Sequence, residues 1–113
     1  MAEFEAVDRY LDVHLDESIA ELSTLCAQPS VSAQNWGLEE CSQLVAEMLQ
    51  KRGFNARIFA TGGAPVVFAE RKGRGDKTLL FYNHYDVQPA EPLELWENPP
   101  FVPTLKDGKL YAR

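Results

Sequence analysis

Two residues at the end of an apolar run could do chemistry together. His84 and Asp86 stand two apart, directly after the stretch TLLFYN that begins at Thr78. In an extended chain, residues two apart project to one face, so the imidazole and the carboxylate point together and Tyr85 points away. The carboxyl end of a strand in an open α/β sheet is also where ligands and catalytic groups collect. A neutral imidazole nitrogen is a ligand for zinc. A carboxylate beside it can hold the other ring nitrogen, fixing the tautomer and raising the basicity of the ligand. The same pair serves as well for a structural hydrogen bond at a strand end, because His-x-Asp alone is too short to be specific.

Other residues offer less. His14 lies one position off the apolar stripe of its helix and reads as a boundary or surface histidine. Arg74-Gly75-Asp76 reads as a surface turn. Gly73 and Gly75 make no phosphate loop, because no Gly-Lys-Ser/Thr follows and no helix begins there. Cys26 and Cys41 fit no metal or disulfide spacing and read as buried free thiols. Trp96 and Phe101 could line a cleft, but anchoring a loop onto the core is the commoner use of such large side chains. Asn83 could orient the loop or simply end a strand. With two histidines in the chain, no Ser/His/Asp or Cys/His nucleophile set can be argued.

The elements that must position His84 and Asp86 follow from periodicity. Phe4, Val7, Leu11, Leu15, Ile19, Leu22 and Cys26 recur at three- and four-residue spacing, which predicts one long amphipathic helix ending near Gln28, before Pro29. PSVSAQN reads as a loop, with Asn35 as N-cap of a second helix whose apolar face holds Leu38, Cys41, Leu44, Val45, Met48 and Leu49. Gly53 suits a left-handed cap at its end. Strands are predicted around Ala56–Ala60 and Pro65–Glu70, with turns at Thr61-Gly62-Gly63 and RKGRGDK. Thr78–Tyr82 is a continuous apolar run, the pattern of a strand covered on both faces. Five of the seven prolines fall at 89, 92, 99, 100 and 103, so no helix or central strand runs through that region. Asp107-Gly108 reads as a turn leading into a strand from Lys109. The whole is an α/β arrangement with a mixed sheet.

Composition sets outer bounds. The 113 residues carry 17 acidic and 11 basic side chains, for a net charge of −6, and an acidic chain is a poor partner for nucleic acid. The acidic excess gathers near the start, from Glu3 to Glu21, and reads as a solvated helix face. No run approaches the ~20 apolar residues of a membrane helix. The acidic N-terminus has no apolar core of a secretory signal, so a cytoplasmic location is expected. At 45% hydrophobic residues the chain is too apolar for disorder, and it is shorter than the ~150 residues of a typical domain.

From Thr78 onward the sequence resembles the start of the active site in zinc-dependent peptidases of the aminoacylase, dipeptidase and carboxypeptidase family. The resemblance rests on an apolar strand leading into His84, Asp86, Val87 and Pro89. Trp96, the Pro100-Phe101 pair and the turn Asp107-Gly108-Lys109-Leu110-Tyr111 then follow in order. The wording HYDVQP is most similar to the dipeptidase branch. The resemblance implies that residues 1–113 are the N-terminal portion of a catalytic domain, with two N-terminal helices packed on a mixed sheet. The rest of that domain and a lid or dimerisation domain are expected further along the chain. It implies His84 as ligand to one of two zinc ions and Asp86 as the catalytic carboxylate that orients it. The remaining ligands and a glutamate general base are expected beyond Arg113.

What this implies for function is hydrolysis of the amide bond of dipeptides or N-acyl amino acids by a homodimeric complete protein. The attacking water would bridge the metals and lose its proton to the glutamate. Catalytic zinc takes three protein ligands, so the 113 residues alone are expected to be inactive. Two other readings compete. A non-haem iron oxygenase also uses His-x-Asp, but on a jelly roll that two long helices argue against. A non-catalytic fragment or interaction module built on the same half-domain is the third.

Overall fold

Residues 4–113 are described by a computed structural model; Glu3, at the head of the acidic run, lies outside the described residues. The striped N-terminus folds as two helices, α1 (Glu5–Val13) and α2 (Leu15–Ala27), where one long helix was predicted. The break is at His14. Its backbone leaves helical geometry (ψ 10°), its ring Nδ1 donates to the Tyr10 carbonyl at 2.8 Å, and the ring stacks on Tyr10 at 4.0 Å. The Tyr10 carbonyl thus accepts from both the His14 ring and its backbone N–H (3.1 Å), and the helix is interrupted at this residue. Helix α2 ends as expected, with Gln28 extended before Pro29.

The third helix, α3 (Leu38–Lys51), is capped differently from the sequence expectation. Asn35 closes a short 3₁₀ turn (Ser32–Gln34) in the left-handed region, and Gly37 at φ 74° is the N-cap. The reason is a reciprocal pair of backbone bonds, Val31 N–H to Trp36 O (2.8 Å) and Trp36 N–H to Val31 O (3.1 Å), which fold the chain back before the helix starts. A Cβ at Gly37 would sit 2.0 Å from the Pro29 carbonyl oxygen, so both the space and the dihedral demand glycine. At the other end Gly53 (φ 82°) supplies the left-handed residue, as expected.

Strands β1 (Asn55–Phe59) and β2 (Val66–Glu70) form an antiparallel hairpin, with Arg57 opposite Phe68 and Phe59 opposite Val66. Helix α3 packs on this hairpin and α2 packs on α3. Strands β3 (Thr104–Lys106) and β4 (Lys109–Tyr111) form a second hairpin around Asp107 and Gly108, both with positive φ, the conformation such tight turns require. The α/β class is as read from the sequence. Among the described residues, however, two separate antiparallel hairpins stand where one mixed sheet was expected.

The largest departure is Thr78–Tyr82. Predicted as a strand covered on both faces, it pairs with no strand among the described residues, and Leu79, Leu80, Phe81 and Tyr82 are 78, 85, 74 and 93% exposed. The radius of gyration is 16.7 Å, against ~13 Å for a compact domain of this length. What core there is lies elsewhere: Val31, Leu38, Cys41, Ala46 and Ala90 are buried, with Ser30 and Ser42 beside them. That small core sits directly beneath the loop carrying His84 and Asp86.

Candidate metal centre

Residues 84–87 lie in no helix or named strand, yet they are tied down. The Val87 N–H donates to the Ser30 carbonyl (2.9 Å), and the Ser30 hydroxyl donates to the Tyr85 carbonyl (2.8 Å). Val31 and Val87 form a parallel bridge. The loop that follows α2 is thus the floor under the His-x-Asp segment.

On that floor the side chains divide as the alternation predicts. Tyr85 turns away and donates its hydroxyl to the Pro65 carbonyl at 2.6 Å; burial first, then nearby Cys41 and Asp86, push its pKa up. His84 and Asp86 turn together, with His84 Nδ1 lying 3.1 Å from both the Asp86 carbonyl oxygen and Asp86 Oδ1. Both neighbours are acceptors, so the proton of the neutral ring belongs on Nδ1 and the lone pair on Nε2. The ring is 80% exposed, and Nε2 accepts no hydrogen bond among the described residues. The other Asp86 oxygen, Oδ2, accepts a hydrogen bond from the Ser32 hydroxyl at 2.8 Å. That bond, more than the one from His84, holds the Asp86 carboxyl below the usual carboxylate range, against an opposing push from burial.

An open depression of about 380 Å³ is lined by Ser32, His84, Asp86, Val87, Gln88 and Arg113. Arg113 is fastened to its rim, donating from Nε to the Gln88 carbonyl (3.0 Å) and from its backbone N–H to Pro100 O (2.8 Å). Trp96 and Phe101 stand outside the depression. Trp96 Nε1 donates to Ala90 O (2.8 Å) and Phe101 meets Trp36 edge-on at 5.2 Å, so both anchor the proline-rich segment. Asn83 is exposed, and Cys26 and Cys41 are free thiols. Ser30 and Ser32 carry no motif that marks them in the sequence. The one signal available was their spacing, two polar residues flanking an apolar one in a loop.

The donor set fits zinc in part. An imidazole whose Nδ1 is held by a carboxylate and whose Nε2 faces solvent is the arrangement of a metal-ligating histidine. No group of three or more His, Cys, Asp or Glu side chains able to hold a metal gathers among the described residues. His84 offers one nitrogen donor beside a carboxylate, and the three protein ligands of a catalytic zinc do not gather among the described residues.

Comparison with known proteins follows the same line. No protein-family model matches the chain. Over 102 residues, 88% of its length, it is 39% identical to the succinyl-diaminopimelate desuccinylase of Burkholderia ambifaria, and equally so to that of Burkholderia mallei. The chain spans 26% of the length of these curated relatives. In fold it is similar to an M20 family metallo-carboxypeptidase from Sulfolobus solfataricus, with a TM-score of 0.82 and 40% identity over 86% of this chain and 22% of that one.

Proposed function

The chain is a homologue of the M20 zinc metallopeptidases along most of its length, and from that premise we propose that the protein carrying it hydrolyses amide bonds in a zinc-dependent reaction. The observation that carries the reading is the orientation of His84. Asp86, through its carbonyl oxygen and Oδ1, fixes the Nδ1 proton, which leaves the Nε2 lone pair free on a ring that lines the open depression. His84 would hold one of two zinc ions through Nε2, and Asp86 would keep the imidazole in the ligating tautomer.

When bound, zinc supplies Lewis-acid polarisation of the scissile carbonyl and an acidified water. The chain's own residues orient and confine. Asp86 takes the Nδ1 proton as a hydrogen bond and neutralises part of the charge gathered at the site. Gln88 and Arg113 form a polar rim, beside which a small substrate would lie. The substrate class we propose is a dipeptide or an N-acyl amino acid. Support comes from the relatives, one named for removing a succinyl group and the other for carboxypeptidase activity, since both names fit cleavage of an amide next to a carboxylate-bearing residue. The iron-oxygenase reading loses its ground, because its jelly roll is not the α/β fold found here. We further propose a homodimer located in the cytoplasm, without nucleic-acid or membrane partners; among the described residues no helix is long and apolar enough to cross a membrane.

The test is kinetic. In the zinc-loaded protein carrying this chain, His84→Ala should lower kcat/KM for N-succinyl amino acids or dipeptides by a factor of about a thousand or more, which is ~4 kcal/mol of transition-state stabilisation. The 113 residues alone should show no zinc-dependent hydrolysis. Wild-type activity in His84→Ala, or hydrolysis by the short chain, would each end the assignment.

A further inference from the structure

We propose that Ser32 is a positioning residue for the metal ligand, acting on His84 through Asp86; the inference rests on the reading of His84 as a zinc ligand and extends it to a second loop. The two Asp86 oxygens have separate tasks. Oδ1 faces His84 Nδ1 at 3.1 Å, and Oδ2 accepts from the Ser32 hydroxyl at 2.8 Å. A carboxylate held at one oxygen only can still turn about its side-chain bonds. Held at both, it presents Oδ1 to the imidazole in one direction.

The surrounding backbone leaves this as the remaining freedom. Ser30 pins the residues on either side of Asp86, through Tyr85 O and the Val87 N–H, so the Asp86 main chain is already fixed. Only its side chain is left to set, and Ser32 sets it. Ser32 is also not spending its hydroxyl where serine at the start of a turn usually does. A serine there commonly bonds a nearby backbone group. Here the residue opens the Ser32–Gln34 turn, the turn has no side-chain cap, and the hydroxyl reaches across 54 residues of sequence instead. The turn that aims it is closed by the Val31–Trp36 backbone pair and by Gly37, where no side chain fits. The loop after α2 therefore supplies both the floor of the site and the clamp on its carboxylate.

The experiment compares Ser32→Ala and Ser32→Thr with wild type in two readouts. The first is the imidazole ¹⁵N spectrum of His84 without metal, which reports the fraction of ring carrying its proton on Nδ1. The second is zinc affinity of the protein carrying this chain, by competition with a chromogenic chelator. Ser32→Ala should lower the Nδ1–H fraction measurably and weaken zinc by about three- to tenfold, less than the ten- to hundredfold for a direct partner of a ligand. Ser32→Thr keeps the hydroxyl and should stay near wild type in both. An unchanged His84 tautomer in Ser32→Ala overturns the role given to Ser32, and so does an equal loss in the alanine and threonine variants, which would mark packing instead of the hydroxyl. Equal zinc affinity in His84→Ala and wild type overturns the metal assignment itself, whatever the tautomer does.

Discussion

Thr78–Asn83 and His84–Val87 are consecutive in the chain, and they are held by entirely different means. The first stretch carries the more apolar sequence, yet its side chains from Leu79 to Tyr82 stand 74–93% exposed and no strand pairs with it among the described residues. The second is polar and irregular, yet it is fastened to the loop after α2 by Ser30, Val31 and Ser32. Order at the candidate site thus comes from residues some fifty positions earlier in sequence, and not from the apolar run that precedes the histidine. An apolar run provides a driving force that is realised only where something covers it. A hydrogen-bonded loop over a small filled core needs no such cover.

If that contrast is right, the heaviest blow should fall on the turn beneath the loop. Gly37→Ala places a Cβ 2.0 Å from Pro29 O and forces a side chain into positive φ. A loss of about 3 kcal/mol or more is expected, read as a shift of the urea midpoint. Next comes Val31→Ala. Val31 is fully buried under Val87, and removing its two methyl groups should cost about 2 kcal/mol and loosen the His84–Asp86 loop with it. A change below 0.5 kcal/mol (roughly the surface-substitution range) at either position would show that the loop is held from elsewhere.

The opposite expectation applies to the preceding stretch. Phe81→Lys should leave the unfolding midpoint within about 0.5 kcal/mol of wild type, since Phe81 makes little buried contact to lose. The same substitution should reduce fluorescence of a dye such as ANS that reports exposed apolar surface. A large loss of stability with no change in dye binding would mean that Thr78–Tyr82 is covered, and the contrast would fail.

These two regions also mark where the sequence was legible. Pattern found what is local: the strands between Asn55 and Glu70, the end of α2 before Pro29, the cap at Gly53, the turn at Asp107-Gly108, and the shared face of His84 and Asp86. It erred where distant parts decide. The stripe from Phe4 to Cys26 does not register that His14 takes the Tyr10 carbonyl, and Asn35 reads as a cap only if the Val31–Trp36 closure is unseen. The doubly apolar pattern of Thr78–Tyr82 reports what the segment requires, which is cover on both faces, and cannot report whether that cover is at hand. Ser32 was invisible for a related reason. Its partner is 54 residues away, and nothing in a loop serine distinguishes a clamp from a solvated hydroxyl.

The mildest test uses a thiol as a reporter of the core beneath the loop. Cys41 is buried beside Ser30 and Tyr85, and burial raises its pKa, opposed by the Ser30 hydroxyl. A thiol whose folded value lies above its unfolded value, ~8.5, stabilises the fold fully below that value and loses the contribution as pH rises through the folded one. The facing group, Tyr85, is raised as well, by burial first and then by Cys41 and Asp86, so its own contribution also falls with rising pH. Under reducing conditions the urea midpoint should therefore fall between pH 8 and 10, by less than ~1.4 kcal/mol per pH unit for a single proton. The fall should be reduced in Cys41→Ala. The half-buried Cys26, raised by burial as well, leaves a remaining slope in the same direction. A wild-type midpoint that stays flat across this window would mean that solvent reaches Cys41 as readily in the folded chain as in the unfolded one. The loop bearing His84 would then rest on an open floor, no better held than the exposed stretch before it.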